Sequence, residues 1–267
     1  MNFIDGEILY IDKPLGWTSF DVVKRIRGSI TRRTKIQKMK VGHAGTLDPL
    51  ATGVMIVTTG RKTKLIESLQ AGVKEYVATI ALGATTPTFD LESEIDATYP
   101  TDHITREGVE KALQGFLGRI EQIPPAFSAV KIDGVRAYEM ARRGEEVELK
   151  PKILVIDEIE LMEYEPTSIV VRVECAKGTY IRALARDIGQ ALNTGAHLTA
   201  LRRTRVGDIT EKDCLTVPET AKLIDECTVE FPADYQPPQP RGNRHRPKNN
   251  GAARAEKAST DSADTDE

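Results

Sequence analysis

The sequence predicts an α+β fold built on a large mixed or antiparallel central sheet flanked by helices and loops. Three observations carry that expectation. Segments with strand-like alternation outnumber segments with helical spacing, and the two kinds do not alternate regularly along the chain. The chain has 267 residues, 40% of them apolar and 29% charged, which suits a soluble globular protein with one large core or two smaller ones.

The elements follow in order. Residues 7–12 read as a short strand ended by the Lys13-Pro14-Leu15-Gly16-Trp17 turn. Thr18-Ser19-Phe20-Asp21 has the form of a capping box opening a helix to about residue 30. Its apolar stripe is read as Phe20, Val23 and Ile26, with Lys24, Arg25 and Arg27 off the stripe. Residues 54–58 read as a buried strand and 63–70 as a short helix on Leu65, Ile66 and Leu69. In 74–82 (KEYVATIAL), alternation sends Tyr76, Ala78, Ile80 and Leu82 to one face of a strand. Residues 83–94 are a polar, turn-rich loop, and 105–117 an amphipathic helix. A strand at 127–132 and an Asp133-Gly134 turn lead to a helix at 137–143 ending at Gly144. Strands are expected at 147–149, 153–161 and 169–175, with Cys175 a small core residue. Thr179 is expected to cap a helix that Gly195 ends, with Tyr180 and Arg182 in its first turn. A strand at 197–206 carries Arg202, Arg203 and Arg205, and a last helix spans 218–227.

Composition divides the chain into residues 1–210, a short extension at 211–231, and a tail at 232–267. The tail is rich in Pro, Asn, Gly and Ser, with basic residues before an acidic end, and is expected to be disordered. Cys175, Cys214 and Cys227 show no CxxC spacing, so no disulfide framework and no metal site is expected. The N-terminus lacks a basic-then-apolar signal pattern and no apolar run reaches membrane length, so a cytoplasmic location is expected.

The net charge of −3 conceals an asymmetry that leaves room for a nucleic-acid partner. Between Asp21 and Glu67 stand eleven Lys or Arg residues and one acid, Asp48. Asp48 lies in Lys40 to Met55, KVGHAGTLDPLATGVM, where Gly42, Gly45 and Gly53 permit tight turns and Pro49 biases Asp48 toward extended backbone. A carboxylate so placed suits attack on, or stabilisation of, an electrophile carried by a polyanion. The plainer reading is an Asp-Pro turn cap.

GHAGTLDPLATG resembles the pseudouridine synthases of the bacterial TruB type, which isomerise uridine-55 in the T loop of tRNA. Four further stretches match in family order over roughly residues 7–210: LYIDKPLGWTS, KEYVATIALGATTPTFDLESE, PPAFSAVKIDGVRAYEMARRGEEVE and KGTYIRALARDIGQAL. The resemblance implies the pseudouridine-synthase fold and assigns roles. Asp48 would be the nucleophile, attacking C6 of the base or C1′ of the ribose, with Arg182 as its counter-ion. Tyr76 would stack on the flipped base and assist removal of the C5 proton. Tyr180 and Leu201 would wall the pocket, and His43 would fill the space the base vacates. Isomerisation needs no cofactor and no metal. The implied partner is the tRNA T stem-loop, with no membrane, guide RNA or protein partner required.

Two departures stand out. Ser93 occupies a position where the family usually has glycine, and the C-terminal RNA-binding domain of most relatives looks absent or reduced. The alternatives are a synthase acting on another uridine or with a guide RNA, and an RNA-binding or tRNA-folding factor.

Overall fold

The alternating face read at Tyr76, Ala78, Ile80 and Leu82 becomes the middle of a ten-stranded sheet. The computed structural model describes residues 1–233, 235 and 236, so nearly all of the tail expected at 232–267 lies outside the described residues. The first half contains β1 (Ile8–Lys13), α1 (Ser19–Thr34), β2 (Val41–His43), β3 (Ala51–Thr59), α2 (Ile66–Ala71) and β4 (Lys74–Leu82). It continues through β5 (Ala84–Thr85), β6 (Ala97–Thr98), α3 (Arg106–Gln114) and β7 (Gly118–Gln122). Then come β8 (Lys131–Ile132), β9 (Val135–Arg136), α4 (Ala137–Arg142), β10 (Lys152–Glu165) and β11 (Ser168–Cys175). The last elements are α5 (Ile181–Ala191), β12 (Ala196–Val206), β13 (Ile209–Thr210), β14 (Leu215–Thr216) and α6 (Val217–Glu226).

The main sheet runs β14-β1-β3-β12-β4-β11-β10-β7, with β2 on β3 and β13 on β12. It is mixed: β1–β14 and β3–β12 are parallel and the other pairs antiparallel. The expected α+β architecture is therefore the observed one. Helices α3 and α5 pack on the β4–β11–β10 side, where Ala78, Ile80, Val171, Leu184 and Ile188 are fully buried. Helices α1 and α6 pack together and cover β1 and β3, around Ile11, Val22, Ile26, Met55 and Ile224. Each such aliphatic side chain removed from water stabilises the fold by ~1.5–3 kcal/mol. The extension after residue 210 is thus part of the same compact unit as the sheet. Among the described residues no helix is long and apolar enough to cross a membrane.

Several local expectations need correction. Phe20 is 62% exposed and does not belong to the buried stripe of α1, which is Ser19, Val22, Val23, Ile26, Ser29 and Ile30. The helix also runs a turn beyond residue 30. Lys35 in the left-handed region ends it, after Arg32 and Arg33 have favoured its negative end. Residues 147–149 form no strand, because β-propensity without a partner strand makes no ladder. Residues 127–132 contribute only β8, half of a two-stranded hairpin with β9. Thr179 does not cap α5: its hydroxyl donates to Ala176 O (3.1 Å), and the cap position is Tyr180. Asn193, not Gly195, takes the left-handed conformation after that helix.

Candidate active site

The site begins with a loop that has little regular structure and is held from below. After β2 the chain turns through Gly45 (φ +103°) and reaches Asp48, outside any helix or strand, before Pro49. Both neighbours of Asp48 are clamped by the segment at residues 13–19. The buried Ser19 hydroxyl accepts from Leu47 N (2.8 Å) and donates to Leu47 O (2.9 Å). Pro49 O accepts from Gly16 N (2.9 Å) and from Lys13 Nζ (3.3 Å). Lys13 is completely buried, and its ammonium also donates to Pro14 O (3.0 Å) and Trp17 O (2.5 Å). Burial lowers the Lys13 pKa to about 8, with Asp48 opposing. Asp48 itself keeps a side chain 39% exposed. Its backbone is thus fixed while its carboxylate stays reachable.

Arg182 is the hub of the site. Placed in the first turn of α5, it is 7% exposed and its guanidinium joins three loops. Nε donates to Asp48 Oδ2 (2.8 Å), Nη1 to Thr88 O (3.1 Å) and Nη2 to Phe127 O (3.0 Å). A second carboxylate, Asp90, lies 3.6 Å from Arg182 Nε and is almost fully buried, its other oxygen accepting from Glu92 N (2.9 Å). The sequence reading placed Asp90 in a loop and gave it no role. An acid in a polar loop carries no local signal, and only the fold brings it to Arg182.

The sheet forms the floor. Two rows of cross-strand neighbours run side by side: Gly53, Arg203, Tyr76 and Val173, then Ala51, Leu201, Ala78 and Val171. Gly53 (φ +102°) must be glycine, since a Cβ there would meet Arg203 O at 2.2 Å. Asp48, Arg182 and Leu201 line one cleft, together with Leu50, Ala51 and Asp90. The buried Tyr76 phenol is pushed up by burial, with Arg203 opposing and Asp48 adding. Tyr180 shifts the same way, mainly by burial, and Asp48 again adds. His43 ends β2, outside the residues lining the cleft. Burial lowers its pKa, with Gly45 opposing and Arg203 adding. Of the six expected residues, Asp48, Arg182 and Leu201 line the cleft, Tyr76 and Tyr180 lie near enough for the Asp48 charge to act on their phenols, and His43 stands outside the lining residues. Among the described residues no group of three or more His, Cys, Asp or Glu is arranged to hold a metal ion.

The arrangement offers a reachable carboxylate, its cationic partner, a phenol and an apolar wall, a set suited to acid–base and covalent chemistry on a planar base. Residues 32–181 match the family profile described as TruB family pseudouridylate synthase (N terminal domain), and residues 182–229 match the tRNA pseudouridylate synthase B C-terminal domain. The chain is 66% identical to the tRNA pseudouridine synthase B of Phocaeicola vulgatus, over 86% of this chain and 98% of that protein. It is 44% identical to the protein of that name from Mycobacterium leprae, over 84% of this chain and 73% of the relative. Among solved structures it resembles a Cbf5-Nop10-Gar1 complex (TM-score 0.62, 30% identity, 80% of this chain covered). An H/ACA RNP bound to a substrate RNA containing 2′-deoxyuridine is similarly close (TM-score 0.60, 28% identity, 82% covered). The chain spans about half the length of those two solved chains. With two family profiles matched over residues 32–229 and a relative so similar over nearly its whole length, this chain belongs to the TruB family of pseudouridylate synthases.

Proposed function

We propose that this protein isomerises uridine-55 of the tRNA T loop to pseudouridine, on a flipped-out base, with Asp48 as nucleophile and without a cofactor. The observation that carries the reading is the 2.8 Å pair of Asp48 and Arg182 in a cleft walled by Leu201, with the buried Tyr76 near enough for the Asp48 charge to act on its phenol. Extrusion is needed because a stacked base cannot reach a carboxylate in a cleft, and it costs a few kcal/mol. Stacking on Tyr76 and contacts with Tyr180 and Leu201 offset that cost, while His43 fills the gap left in the RNA. Asp48 attacks C6 or C1′, Arg182 holds the carboxylate in place, and Tyr76 takes the C5 proton after the base has turned. The base stays in the cleft throughout, so no external reactant is required. Residues 1–210 supply this chemistry, residues 211–231 act as a reduced C-terminal RNA-binding region, and the setting is the cytoplasm.

The likeness to H/ACA complexes favours one other reading, a synthase that needs a guide RNA. The most similar relatives named here are called tRNA pseudouridine synthase B, which supports action on tRNA alone. The deciding assay incubates purified protein with an unmodified tRNA transcript and no guide, then maps pseudouridine by carbodiimide-blocked reverse transcription. Pseudouridine at position 55 is expected. Tight binding without isomerisation would instead support an RNA-folding factor.

A further inference from the structure

Arg203 is a deeply buried cation beneath the cleft, and the mechanism above leaves it without a task. It is 1% exposed, with Nε donating to Val54 O (2.7 Å) and Nη2 to Gly45 O (3.2 Å). Among the described residues no carboxylate pairs with it, whereas Arg202 pairs with Asp12 and Glu211, and Arg205 with Glu174. A buried guanidinium with no counter-ion is costly, so its presence asks for a use. Its direct cross-strand partner is Tyr76, and side chains of directly opposed residues share one face of a sheet. Three groups act electrostatically on the Tyr76 phenol: Arg203 from β12, which also hydrogen-bonds it, Cys175 from β11 and Asp48 from the loop. Of these only Arg203 favours the phenolate, while burial, Cys175 and Asp48 all oppose it.

We propose that Arg203 is a positioning residue for proton transfer at Tyr76: its unpaired charge stabilises the Tyr76 phenolate while its N–H groups pin the Gly45 end of the loop. This rests on the reading that Tyr76 takes the C5 proton. Tyr76 loses its own proton to solvent as the step begins, a loss that burial opposes and Arg203 favours. The C5–H bond breaks and its electron pair restores the C5–C6 double bond. The displaced pair goes to N1, which takes a proton from solvent, or to Asp48 if that carboxylate was bound at C6. The proton from C5 ends on Tyr76 Oη.

The test is a double-mutant cycle of Arg203→Gln and Tyr76→Phe, in single-turnover assays on tRNA transcripts carrying protium or deuterium at uridine C5. Melting temperature and tRNA Kd are measured alongside. Arg203→Gln keeps donors for the carbonyls and removes the charge. It is expected to slow turnover ~10²-fold, leave Kd within a few-fold, and bring out a C5 deuterium isotope effect that Arg203→Lys partly removes. In the Tyr76→Phe background the same substitution should cost under about 3-fold, because the group it acts through is already gone. Equal losses in both backgrounds, without an isotope effect, would overturn the proposal and leave Arg203 a loop support. If Arg203→Gln lacks a native melting profile, the cycle is run with Arg203→Lys, with about 10-fold loss expected only where Tyr76 is intact. A fully active Tyr76→Phe would instead overturn the role given to Tyr76.

Discussion

Two sets of cations divide this molecule. The first is the run between Asp21 and Glu67, where Lys24, Arg25, Lys35, Lys38, Lys40 and Lys64 are exposed. Others in that run turn inward or toward neighbours: Arg27 to Val41 O, Arg32 to Asp225, Arg33 to Cys227 O and Arg61 to Asp5. The second set is Lys13, Arg182 and Arg203, each nearly or wholly buried and each tied to carbonyls or a carboxylate around the Asp48 loop. Water and salt screen the first set, so its members act together as a field on a polyanion. The second set works at short range in a medium of low dielectric, where one charge governs a single group. Density of charge in a sequence marks a surface.

The comparison breaks most sharply at the acid that both sets surround. Asp48→Asn and Asp48→Ala should abolish isomerisation while tRNA binding stays equal or tightens, since removing a carboxylate weakens no phosphate contact. Single-turnover assays and filter binding on the same preparations check both halves. Measurable turnover by Asp48→Ala would remove Asp48 from the role proposed for it.

The next effect separates the buried set from ordinary packing. Tyr76 sits in a core row between Arg203 and Val173 and could be only a core aromatic. If its hydroxyl takes the C5 proton, Tyr76→Phe and Tyr76→Leu should both lose ~10²-fold or more in single-turnover rate. If stacking alone matters, Phe keeps the rate and Leu does not. Full activity in Tyr76→Leu would make the residue purely structural.

Much of this was legible in the sequence, for identifiable reasons. Strand β4 has the bounds that its alternation gives, 74–82, because both of its neighbours in the sheet hold it in register along its length. Asp48, Arg182, Tyr76 and Tyr180 were legible through motifs, and the fold brings Arg182 to Asp48. Arg203 was visible only as one of three arginines on a strand. A register shift between Arg203 and Arg205 breaks the simple alternation, so spacing alone does not tell the buried arginine from its neighbours. Asp90 was hidden because its partner lies in a helix far along the chain. Long-range pairings of this kind leave no period to read.

A smaller effect belongs to the exposed set. Phosphate contacts by Lys24 and Arg25, which lie in solvent on α1, each contribute roughly 0.7–0.9 to the log–log salt slope of RNA binding. The double change to Gln should therefore flatten that slope by about 1.4–1.8 while turnover at saturating tRNA is unchanged. An unaltered slope would place the RNA elsewhere on the surface.

The smallest expected effect tests whether buried cations differ in kind from exposed ones. Burial brings the Lys13 ammonium to about 8 in the folded protein, against 10.5 for an unperturbed lysine, with Asp48 opposing and Arg203 adding. Below pH 8 both folded and unfolded chains hold this proton, and the folded state carries the full cost of burying the charge. Between pH 8 and about 10.5 the folded protein has released a proton that the unfolded chain still binds. Unfolding free energy from this group therefore rises with pH across that window. Lys74 shifts in the same direction for the same first reason, so the wild type alone cannot separate them. Lys13→Met can, because it removes one contribution and leaves Lys74 in place. Melting temperatures of wild type and Lys13→Met are compared at pH 7.5, 8.5 and 9.5. The variant loses three carbonyl contacts and should melt lower throughout, and the gap should widen as pH rises. A constant or narrowing gap would mean that Lys13 keeps an ordinary titration despite its burial, and that its value to the loop lies in hydrogen bonds alone.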